Sequence, residues 1–592
     1  MAKPRSITQT RIRGSMAQTN IGDCITQQQN NQTSRRNFVA HSAFLAALGA
    51  STAFGQDEEA PTATIKHAGN LAGINFTDEE QAQILNTIQE QKDMFAARAA
   101  LGELPNSLSP ATTFNPVLSG KALNTVTPME QEGNLPPAGP CPTDDLELAF
   151  APVWKLSQWL RNREVTSEHL TRLAIRRLKH YNKQLKCVVT FMDNHALGQA
   201  RQADKELDSG KWRGPLHGVP WGAKDIIDTA GEKTTYGAAP FKNRVAEKDA
   251  VVVDRLNEAG AVLVAKLSVG ALAMGDVWFG GTCKNPFDLE EGSSGSSAGS
   301  ASATAAGLVP FTLGSETYGS IVSPCMFCGT TGLRPTFGRV ARTGVMALCW
   351  SLDKIGPICR SVLDTALVLE VINGSDVGDP SSRTLPFKFN PSQNANGLRL
   401  GYDPNEVMKP SEFGQRELYF EKIHPSVLDA AKKAGMTLVR VNKPDIDNSP
   451  LLIPLLVESA AAFEELTRSG RDDLLVNQED NAWPNTFRQS WLIPAVEHIQ
   501  ASRYRREAMQ KMYQWMNDSF DGFLTPGYSN LLLIANNTGQ PATVQRTGML
   551  NGKPLATTII GRLFDESTIL RMSMALEAEL KVSTIRPPIS SS

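Results

Sequence analysis

The sequence has little net charge, no regular pattern of metal ligands and no apolar run long enough to span a membrane. Its 592 residues carry a formal net charge of −2, so charge offers no argument for nucleic acid or an anionic membrane as a partner. Histidine and cysteine are scarce, at eight residues each, and the histidines lack HExxH or similar spacing. No internal repeat is evident. The composition, with 41% hydrophobic and 20% charged residues, is that of an ordinary soluble enzyme.

The cysteines include a CxxC motif, formed by Cys325 and Cys328. A zinc site of this kind needs a second pair of ligands, which the sequence does not provide. We therefore interpret the two residues as packed thiols, and we predict neither a metal nor a cofactor. An exported protein could form disulfides, but the sequence does not indicate their pairing.

The N-terminal residues have the features of an export signal. Residues 1–33 are polar and rich in Gln, Asn and Thr, which predicts disorder. An arginine pair at 35–36 precedes a moderately apolar stretch at 39–54 and a small-residue site at 53–55, a pattern typical of a twin-arginine signal cut before Gln56. The apolar stretch is short for a transmembrane helix. We predict a periplasmic or other extracytoplasmic location; the alternative is an amphipathic helix in a cytoplasmic protein.

Residues 56–145 are predicted to form a helical and extended arm, which follows the disordered lead and export signal of residues 1–55. The motif FTDEE at 76–80 indicates a capped helix start, and the helical pattern continues to about Leu101. Proline and glycine are then frequent in residues 105–142. This composition favours an extended segment on the surface over a contribution to the core.

Beyond the arm, helix and strand patterns alternate. Apolar residues recur at helical spacing over 146–207, which predicts helices before the first strand of a central sheet. A helix is expected at 251–259, ended by a glycine, and a strand at 261–265. Further strands are expected at 398–402 and 438–441. Such alternation predicts an α/β architecture.

The stretch at 291–320 organises the chain and reads EGSSGSSAGSASATAAGLVPFTLGSETYGS. Nearly every side chain from 297 to 307 is small, so a helix here can pack its backbone close to a neighbour. The apolar run at 309–313 predicts a buried strand. In the loop at 317–320, a glycine beside a serine lets backbone N–H groups point at a substrate oxygen. Serines held on two rigid elements indicate nucleophilic catalysis.

Two other interpretations of this stretch stay open. Gly/Ser-rich segments are often flexible linkers, although linkers do not usually run into a helix and a buried strand. The letters GSSAG at 295–299 also match GxSxG, the nucleophile elbow of α/β-hydrolases, in which Ser297 would be the nucleophile. That motif needs a strand directly before it, whereas residues 285–292 look like a loop.

A lysine upstream favours a different catalytic arrangement. Lys224 follows a turn rich in glycine and proline in the motif PLHGVPWGAKD at 215–225. Together with GSS at 295–297 and YGS at 318–320, this lysine resembles the catalytic unit of the amidase signature family, which is one lysine and two serines. The spacing of the two serine motifs matches the family pattern.

The resemblance covers roughly residues 146–585, with further family-like blocks at 328–340 and 351–357. It implies an α/β amidase-signature fold, in which a large mixed sheet is flanked by helices on both faces. It also implies a catalytic core at about 215–375 and a part that shapes the substrate pocket at about 390–545.

The resemblance assigns a role to each catalytic residue. Ser320 is implied to be the nucleophile, and Ser296, after a cis peptide bond with Gly295, relays its proton to Lys224. The lysine must be neutral to accept that proton, so its surroundings must lower its pKa from about 10.4. The backbone N–H groups implied to form the oxyanion hole are those of Thr317, Tyr318, Gly319 and Ser320.

Three residues depart from the family pattern. Tyr318 stands where most members have glycine, and Val322 where an arginine is common. Ala271 replaces an acidic residue that is typical of the A subunits of tRNA-dependent amidotransferases. These departures leave the catalytic residues intact and disfavour ammonia delivery to a tRNA-bound partner.

The function implied by the resemblance is hydrolysis of the C–N bond of a linear carboxamide through an acyl-enzyme. The alternative is the glutaminase A subunit of a glutamyl-tRNA(Gln) amidotransferase, which would be cytoplasmic and would need partner subunits. A third hypothesis is a catalytically silent binding protein. The expected partner is a small amide, with no nucleic acid and no stable membrane span, and a homodimer is compatible with the resemblance.

Overall fold

The computed structural model describes residues 62–128, 133–404 and 418–591. The predicted lead and export signal of residues 1–55 lie outside this part. The α-helices are, in chain order, α1 (Thr62–Leu71), α2 (Asp78–Ala100), α3 (Asp145–Phe150), α4 (Val153–Arg161), α5 (Ser167–Leu185), α6 (Asp193–Asp208), α7 (Val251–Glu258), α8 (Ala298–Ala305), α9 (Val322–Cys328), α10 (Val362–Ile372), α11 (Leu418–Lys433), α12 (Ile453–Ala462), α13 (Glu464–Ser469), α14 (Trp483–Ser490), α15 (Ala495–Asp518), α16 (Asn530–Thr538) and α17 (Glu566–Leu580).

The strands form one large sheet and two small hairpins. They are β1 (Val188–Phe191), β2 (Pro220–Lys224), β3 (Val262–Leu267), β4 (Val277–Trp278), β5 (Gly281–Thr282), β6 (Lys284–Asn285), β7 (Asp288–Gly292), β8 (Phe311–Glu316), β9 (Thr331–Arg334), β10 (Lys354–Cys359), β11 (Arg399–Tyr402), β12 (Thr437–Arg440), β13 (Gly522–Pro526), β14 (Ala542–Leu550) and β15 (Lys553–Gly561). Eleven of them pair in the order β1-β3-β2-β8-β10-β9-β14-β15-β13-β11-β12.

The large sheet is mixed, as the resemblance implies. Strand β2 runs parallel to both β3 and β8, whereas β10 runs antiparallel to β8 and β9. Every residue of β2, β3 and β8 is buried. Because successive side chains of a strand point to opposite faces, this burial requires that both faces of the sheet are covered here. The predicted α/β architecture is confirmed.

The small-residue stretch forms helix α8, as predicted, and all eight of its residues are buried. A Cβ atom at Gly299 would lie 2.4 Å from the carbonyl oxygen of Cys187 and 2.5 Å from the backbone nitrogen of Ser268. The hydroxyl of Ser300 donates to the carbonyl of Leu313 at 3.0 Å. The helix therefore lies directly against strand β8, which follows it, and fixes the position of the serines at its own N-terminus.

Several predicted elements are present with shifted ends. Helix α2 begins with the predicted cap, because Thr77 accepts a hydrogen bond from the backbone of Glu80 while the Glu80 carboxylate accepts one from Thr77. The structure also has the helix predicted at 251–259 and the strands predicted at 261–265, 309–313, 398–402 and 438–441, as α7, β3, β8, β11 and β12.

Two local predictions are wrong. The interval 146–207 is not entirely helical, because strand β1 lies inside it and pairs antiparallel with β3. The segment at 285–292, predicted as a loop, contains β7, which pairs with β6 in a hairpin. Both strands are short, and their partners rather than their own periodicity determine them.

After α2 the arm has neither helix nor strand in its described residues, 101–128 and 133–144. It is held at intervals by hydrogen bonds to the main body. The backbone of Val126 donates to the carboxylate of Asp565 at 2.9 Å, and the indole of Trp159 donates to the carbonyl of Gly139 at 2.8 Å. The arm thus lies on the surface, in the extended conformation that its composition predicts.

Cys325 and Cys328 lie in helix α9 and are fully buried, and the Cys328 thiol donates to the carbonyl of Ser293 at 3.7 Å, in agreement with the interpretation as packed thiols. Across residues 62–128, 133–404 and 418–591, no helix is both long and apolar enough to cross a bilayer. Within the same ranges, no cluster of three or more His, Cys, Asp or Glu side chains has the arrangement of a metal site.

Candidate active site

Lys224 ends strand β2 and is completely buried. Its Nζ lies 2.8 Å from the hydroxyl of Ser296, 3.1 Å from that of Ser297 and 2.9 Å from that of Ser315. It also lies 3.3 Å from the carbonyl oxygen of Ser315. The sheet register produces this cluster, because β2 and β8 are adjacent parallel strands and Ser315 lies near the end of β8.

The surroundings of Lys224 lower its affinity for a proton. Burial lowers the pKa of Lys224 to about 7, although the negative charges of Asp353 and Glu316 act in the opposite direction. A lysine with this pKa is substantially neutral at physiological pH. In the neutral form Nζ has a lone pair, so the short contact with Ser296 can reverse its direction and Ser296 can donate its proton to the lysine.

The peptide bond between Gly295 and Ser296 is cis, as the resemblance implies. A Cβ atom at Gly295 would lie 1.8 Å from the carbonyl oxygen of Gly275, so only glycine fits at this position. Ser296 is 1% exposed. Its hydroxyl is thus a buried group, and its contact with Lys224 is shielded from water.

The loop of residues 317–321 connects β8 to α9 and carries Ser320. Ser320 is half-buried, and its carbonyl oxygen accepts a hydrogen bond from the backbone of Ser297 at 3.1 Å. Among the described residues, the Ser320 hydroxyl has no hydrogen-bond partner. The structure therefore brings Ser320 next to the segment that carries Ser296 and leaves its hydroxyl free for a substrate. It does not join the two hydroxyls by a hydrogen bond.

The backbone of the same loop is held in one conformation from several sides. Gly319 has a φ of 114°, in the region that favours glycine, and a Cβ there would lie 2.4 Å from the ring of Tyr528. The Tyr528 hydroxyl donates to the carbonyl of Tyr318 at 3.2 Å. The N–H groups of residues 317–320 donate to no acceptor in the described part of the chain. They are available to an oxyanion, and their role stays a prediction.

A buried carboxylate anchors the far side of the loop. Glu316 accepts hydrogen bonds from the backbone of Ile321 and Val322, each at 2.9 Å, and pairs with Arg334 at 2.9 Å. Burial alone would raise the pKa of Glu316, but Arg334, Lys354 and the two N–H groups outweigh it and lower that pKa. The carboxylate is therefore charged, and it fixes the two residues that follow Ser320.

We expect Glu316→Gln to lower the free energy of unfolding by about 3–5 kcal/mol, because it leaves the buried Arg334 without a counter-charge. Urea denaturation measures this difference. Glu290→Gln is the matched control, since Glu290 is exposed and its replacement should cost under about 0.5 kcal/mol. Equal stability of the two variants would show that Glu316 does not anchor the loop.

The nucleophile-elbow interpretation does not fit the geometry. The strand that precedes GSSAG is β7, which belongs to a hairpin outside the large sheet and ends at Gly292. Ser297 is fully buried, and its hydroxyl donates to the carbonyl of Ser315 at 3.1 Å and accepts from the backbone of Ser315 at 3.2 Å. A hydroxyl in this position supports the lysine and does not face a substrate.

Ser297→Ala should retain covalent labelling by a fluorophosphonate, because the proposed nucleophile is a different serine. It should lower the free energy of unfolding by about 1–3 kcal/mol, since the buried partners of its hydroxyl lose a hydrogen bond. Intact-protein mass spectrometry and urea denaturation measure the two effects. Loss of the adduct in a folded variant would restore the elbow interpretation.

Sequence reasoning missed several residues that shape this site. These residues are Ser315, Glu316, Asp353, Tyr528 and Asn536. The first two directly precede the predicted loop in the sequence, so their position was a usable signal. Asp353 lies within the family-like block at 351–357, whereas Tyr528 and Asn536 come from distant parts of the chain.

The structure also shows where the three residues that depart from the family pattern lie. The Tyr318 hydroxyl donates to Asn448 at 2.7 Å, and Val322 and Ala271 are buried. Tyr318 therefore adds a side chain beside the nucleophile and links the loop to residues further along the chain.

A family model described as "Amidase" matches residues 169–526 of the chain. The chain belongs to the amidase family. Among curated relatives, the glutamyl-tRNA(Gln) amidotransferase A subunit of Geobacillus sp. (strain WCH70) is 32% identical over 72% of this chain and 96% of its own length. The protein of the same name from Moorella thermoacetica is 30% identical over 75% of this chain and 99% of its own length.

Solved structures of amidases have the same fold as this chain. Native peptide amidase from Stenotrophomonas maltophilia superposes with a TM-score of 0.65 at 25% identity, over 75% of this chain and 99% of that one. Together with the family match, this similarity shows that the chain is a hydrolase acting on amide C–N bonds.

Proposed function

We propose that this amidase cleaves a linear carboxamide through an acyl-enzyme on Ser320, with Ser296 and Lys224 as the proton relay. The observation that carries the proposal is the 2.8 Å contact between Lys224 Nζ and Ser296 Oγ. A serine hydroxyl is a weak nucleophile unless a base removes its proton. Lys224, with its pKa lowered to about 7 by burial, is a base suited to neutral pH.

The reaction begins when Ser320 Oγ attacks the carbonyl carbon of the amide. Ser296 accepts the proton of Ser320 while passing its own proton to neutral Lys224. The carbonyl oxygen becomes an oxyanion and accepts hydrogen bonds from the N–H groups of residues 317–320. When the intermediate collapses, the C–N bond breaks and the relay returns the proton to the leaving amine.

A water molecule completes the cycle. It attacks the ester of Ser320 and gives a proton to the same relay. The C–O bond to the enzyme then breaks, Ser320 regains its proton, and the carboxylic acid leaves. The relay thus acts as a base in the first half of each step and as an acid in the second.

The proposed base predicts the pH dependence of kcat/KM. Lys224 must be neutral in the free enzyme, so kcat/KM should rise about tenfold per pH unit below the pKa. It should level off above about 7, the pKa that burial gives Lys224. Steady-state kinetics from pH 5 to about 9 measure the profile. A flat profile, or one that falls as the pH rises through neutrality, would contradict the assignment of Lys224.

The proposal is tested with purified protein, a fluorophosphonate and a panel of linear amides. Intact mass should increase by one phosphonyl group, the adduct should map to Ser320, and at least one amide should release its amine or ammonia. A folded protein that forms no adduct and hydrolyses no amide would refute the proposal.

The alternative function is the glutaminase component of a tRNA-dependent amidotransferase. It is favoured by the two curated relatives, which carry that name. Under this alternative, glutamine would be the preferred amide and turnover would rise when partner subunits are added. Efficient hydrolysis of other linear amides by the isolated chain favours the first function, and inertness toward all amides favours a binding protein.

We also propose export by the twin-arginine pathway, on the basis of the arginine pair at 35–36 and the apolar stretch that follows it. The full-length protein should be recovered outside the cytoplasm, and replacement of both arginines by lysine should retain it inside.

Sedimentation of the purified protein tests the homodimer that the resemblance allows.

A further inference from the structure

A cavity of about 240 Å³ lies beside the relay. This inner cavity is bordered by Ser315, whose hydroxyl contacts Lys224 at 2.9 Å, and by Thr317 of the loop that carries Ser320. Ile226, which follows Lys224 by two positions, also lines it. The inner cavity therefore adjoins residues that contact the reacting groups, although Lys224, Ser296 and Ser320 do not themselves line it.

The lining of the inner cavity suits an uncharged group. Arg342 is paired with Asp379 at 2.9 Å and donates to the carbonyl of Trp350 at 2.7 Å. Lys354 is buried and donates to the carbonyl of Thr317 at 3.4 Å. The charged side chains of the wall thus already have protein partners, and the apolar ones remain for a ligand. Those apolar residues include Ile226, Val345, Met346, Leu348 and Ile355.

The arm supplies one wall of this cavity through Asn106, Ser107 and Ser109. The Asn106 amide donates to the carbonyl of Ala347 at 2.9 Å and accepts from the backbone of Ala347 at 2.7 Å. The carbonyl of Asn106 accepts from the indole of Trp350 at 3.2 Å. This wall lies outside residues 169–526, which the family model matches, so it is an addition to the family core.

On the other side of the arm lies a larger cavity of about 790 Å³. The two cavities share Asn106, Ser109 and Trp350 as lining residues. The lining of the outer cavity includes the apolar residues Leu104, Leu108 and Trp491. It also includes charged residues, among which Arg98 and Arg468 both pair with Glu464. Asn106 therefore lines both a small cavity beside the active site and a larger cavity next to it.

We propose that the inner cavity holds the acyl group of the substrate and that Asn106 limits the length of that group. This inference rests on the proposed function. The acyl group stays on the enzyme while the amine leaves and water enters, so a cavity that adjoins the relay and the loop of Ser320 suits the acyl group. A cavity of about 240 Å³ is smaller than the roughly 300–1,000 Å³ typical of drug-sized ligands, so short acyl chains are accepted.

The test compares the full-length wild type with Asn106→Ala on straight-chain primary amides from butyramide to decanamide. Removing the Asn106 side chain joins the two cavities. We expect the ratio of kcat/KM for decanamide to that for butyramide to rise at least about tenfold, mainly through a lower KM for the longer amide. A second panel, with one short acyl group and N-alkyl groups of increasing length, should show no such change.

Asn124→Ala is the matched control. Asn124 lies in the same arm and donates to Tyr513 at 3.3 Å and to Asn517 at 3.0 Å, but it lines neither of the two cavities. Its chain-length profile should equal that of the wild type. An equal shift in both variants would mean that loosening of the arm, and not the side chain of Asn106, sets the preference, and would overturn the proposal.

Ser109→Phe provides a second variant, in which bulk is added at the shared wall without loss of the Asn106 hydrogen bonds. It should raise the KM of the longest amide that the wild type accepts. Unchanged profiles in both cavity variants, or a response confined to the N-alkyl panel, would overturn the inference while the proposed function stands. A wild type that forms no fluorophosphonate adduct and hydrolyses no amide would overturn both.

Discussion

Ser320→Ala should lower kcat for amide hydrolysis by at least about 10⁴-fold and abolish the fluorophosphonate adduct. The variant has no nucleophile, whereas the N–H groups of the loop and the buried Lys224 are still present. Any residual rate would come from water attacking an amide that the loop still polarises. Steady-state kinetics with the best amide of the panel, together with intact mass after labelling, measure both effects.

Ser323→Ala is the matched control for this experiment. Ser323 lies three residues further, in α9, and its hydroxyl contacts that of Ser294 at 2.7 Å. It has the same chemistry as Ser320 and lies on the same segment, but it contacts neither Lys224 nor Ser296. We expect its adduct to form and its kcat to stay within about tenfold of wild type. Retained activity in Ser320→Ala, or loss of the adduct only in Ser323→Ala, would place the nucleophile elsewhere.

Elements that carry their own signals were predictable from the sequence. Helix α2 has a reciprocal cap between Thr77 and Glu80, and α8 is a run of small residues followed by an apolar strand. Strand β1 was missed, although its residues VVTF are typical of a strand, because it is only four residues long and lies between two long helices. Its conformation depends on pairing with β3, whose paired residues lie 74 to 79 positions further along the chain.

The candidate site likewise combines residues that the sequence identifies with residues that only the fold brings together. Lys224, Ser296 and Ser320 are recognisable as parts of motifs, and the structure joins the first two directly. Ser315 carries no motif of its own, since its contact with Lys224 arises only when β2 and β8 lie side by side. The hydrogen bonds between Asn106 and Ala347 span 241 positions, a separation at which local pattern has no predictive content.

Lys224→Met is the second large expected effect. It should lower kcat/KM by about 10³-fold, which is within the range for loss of a general base. Methionine is unbranched and fills a similar space, so the cavity left behind is small. Ser296 keeps its place beside the variant side chain but has no acceptor for its proton. The adduct with a fluorophosphonate should still form, only slowly, and the rise of kcat/KM toward pH 7 should disappear.

Lys266→Met separates loss of the base from loss of a buried lysine. Lys266 is also completely buried, lies on β3 beside β2, and donates to Thr234 at 2.7 Å while facing Asp225 at 3.4 Å. Its replacement leaves Asp225 without a counter-charge and should cost about 3–5 kcal/mol of unfolding free energy. The folded fraction should nevertheless keep the pH profile of the wild type. If both lysine variants lose the profile, the buried charges of the sheet control the titration together. If only Lys224→Met loses it, the titrating base is Lys224, since that variant alone removes the amine beside Ser296.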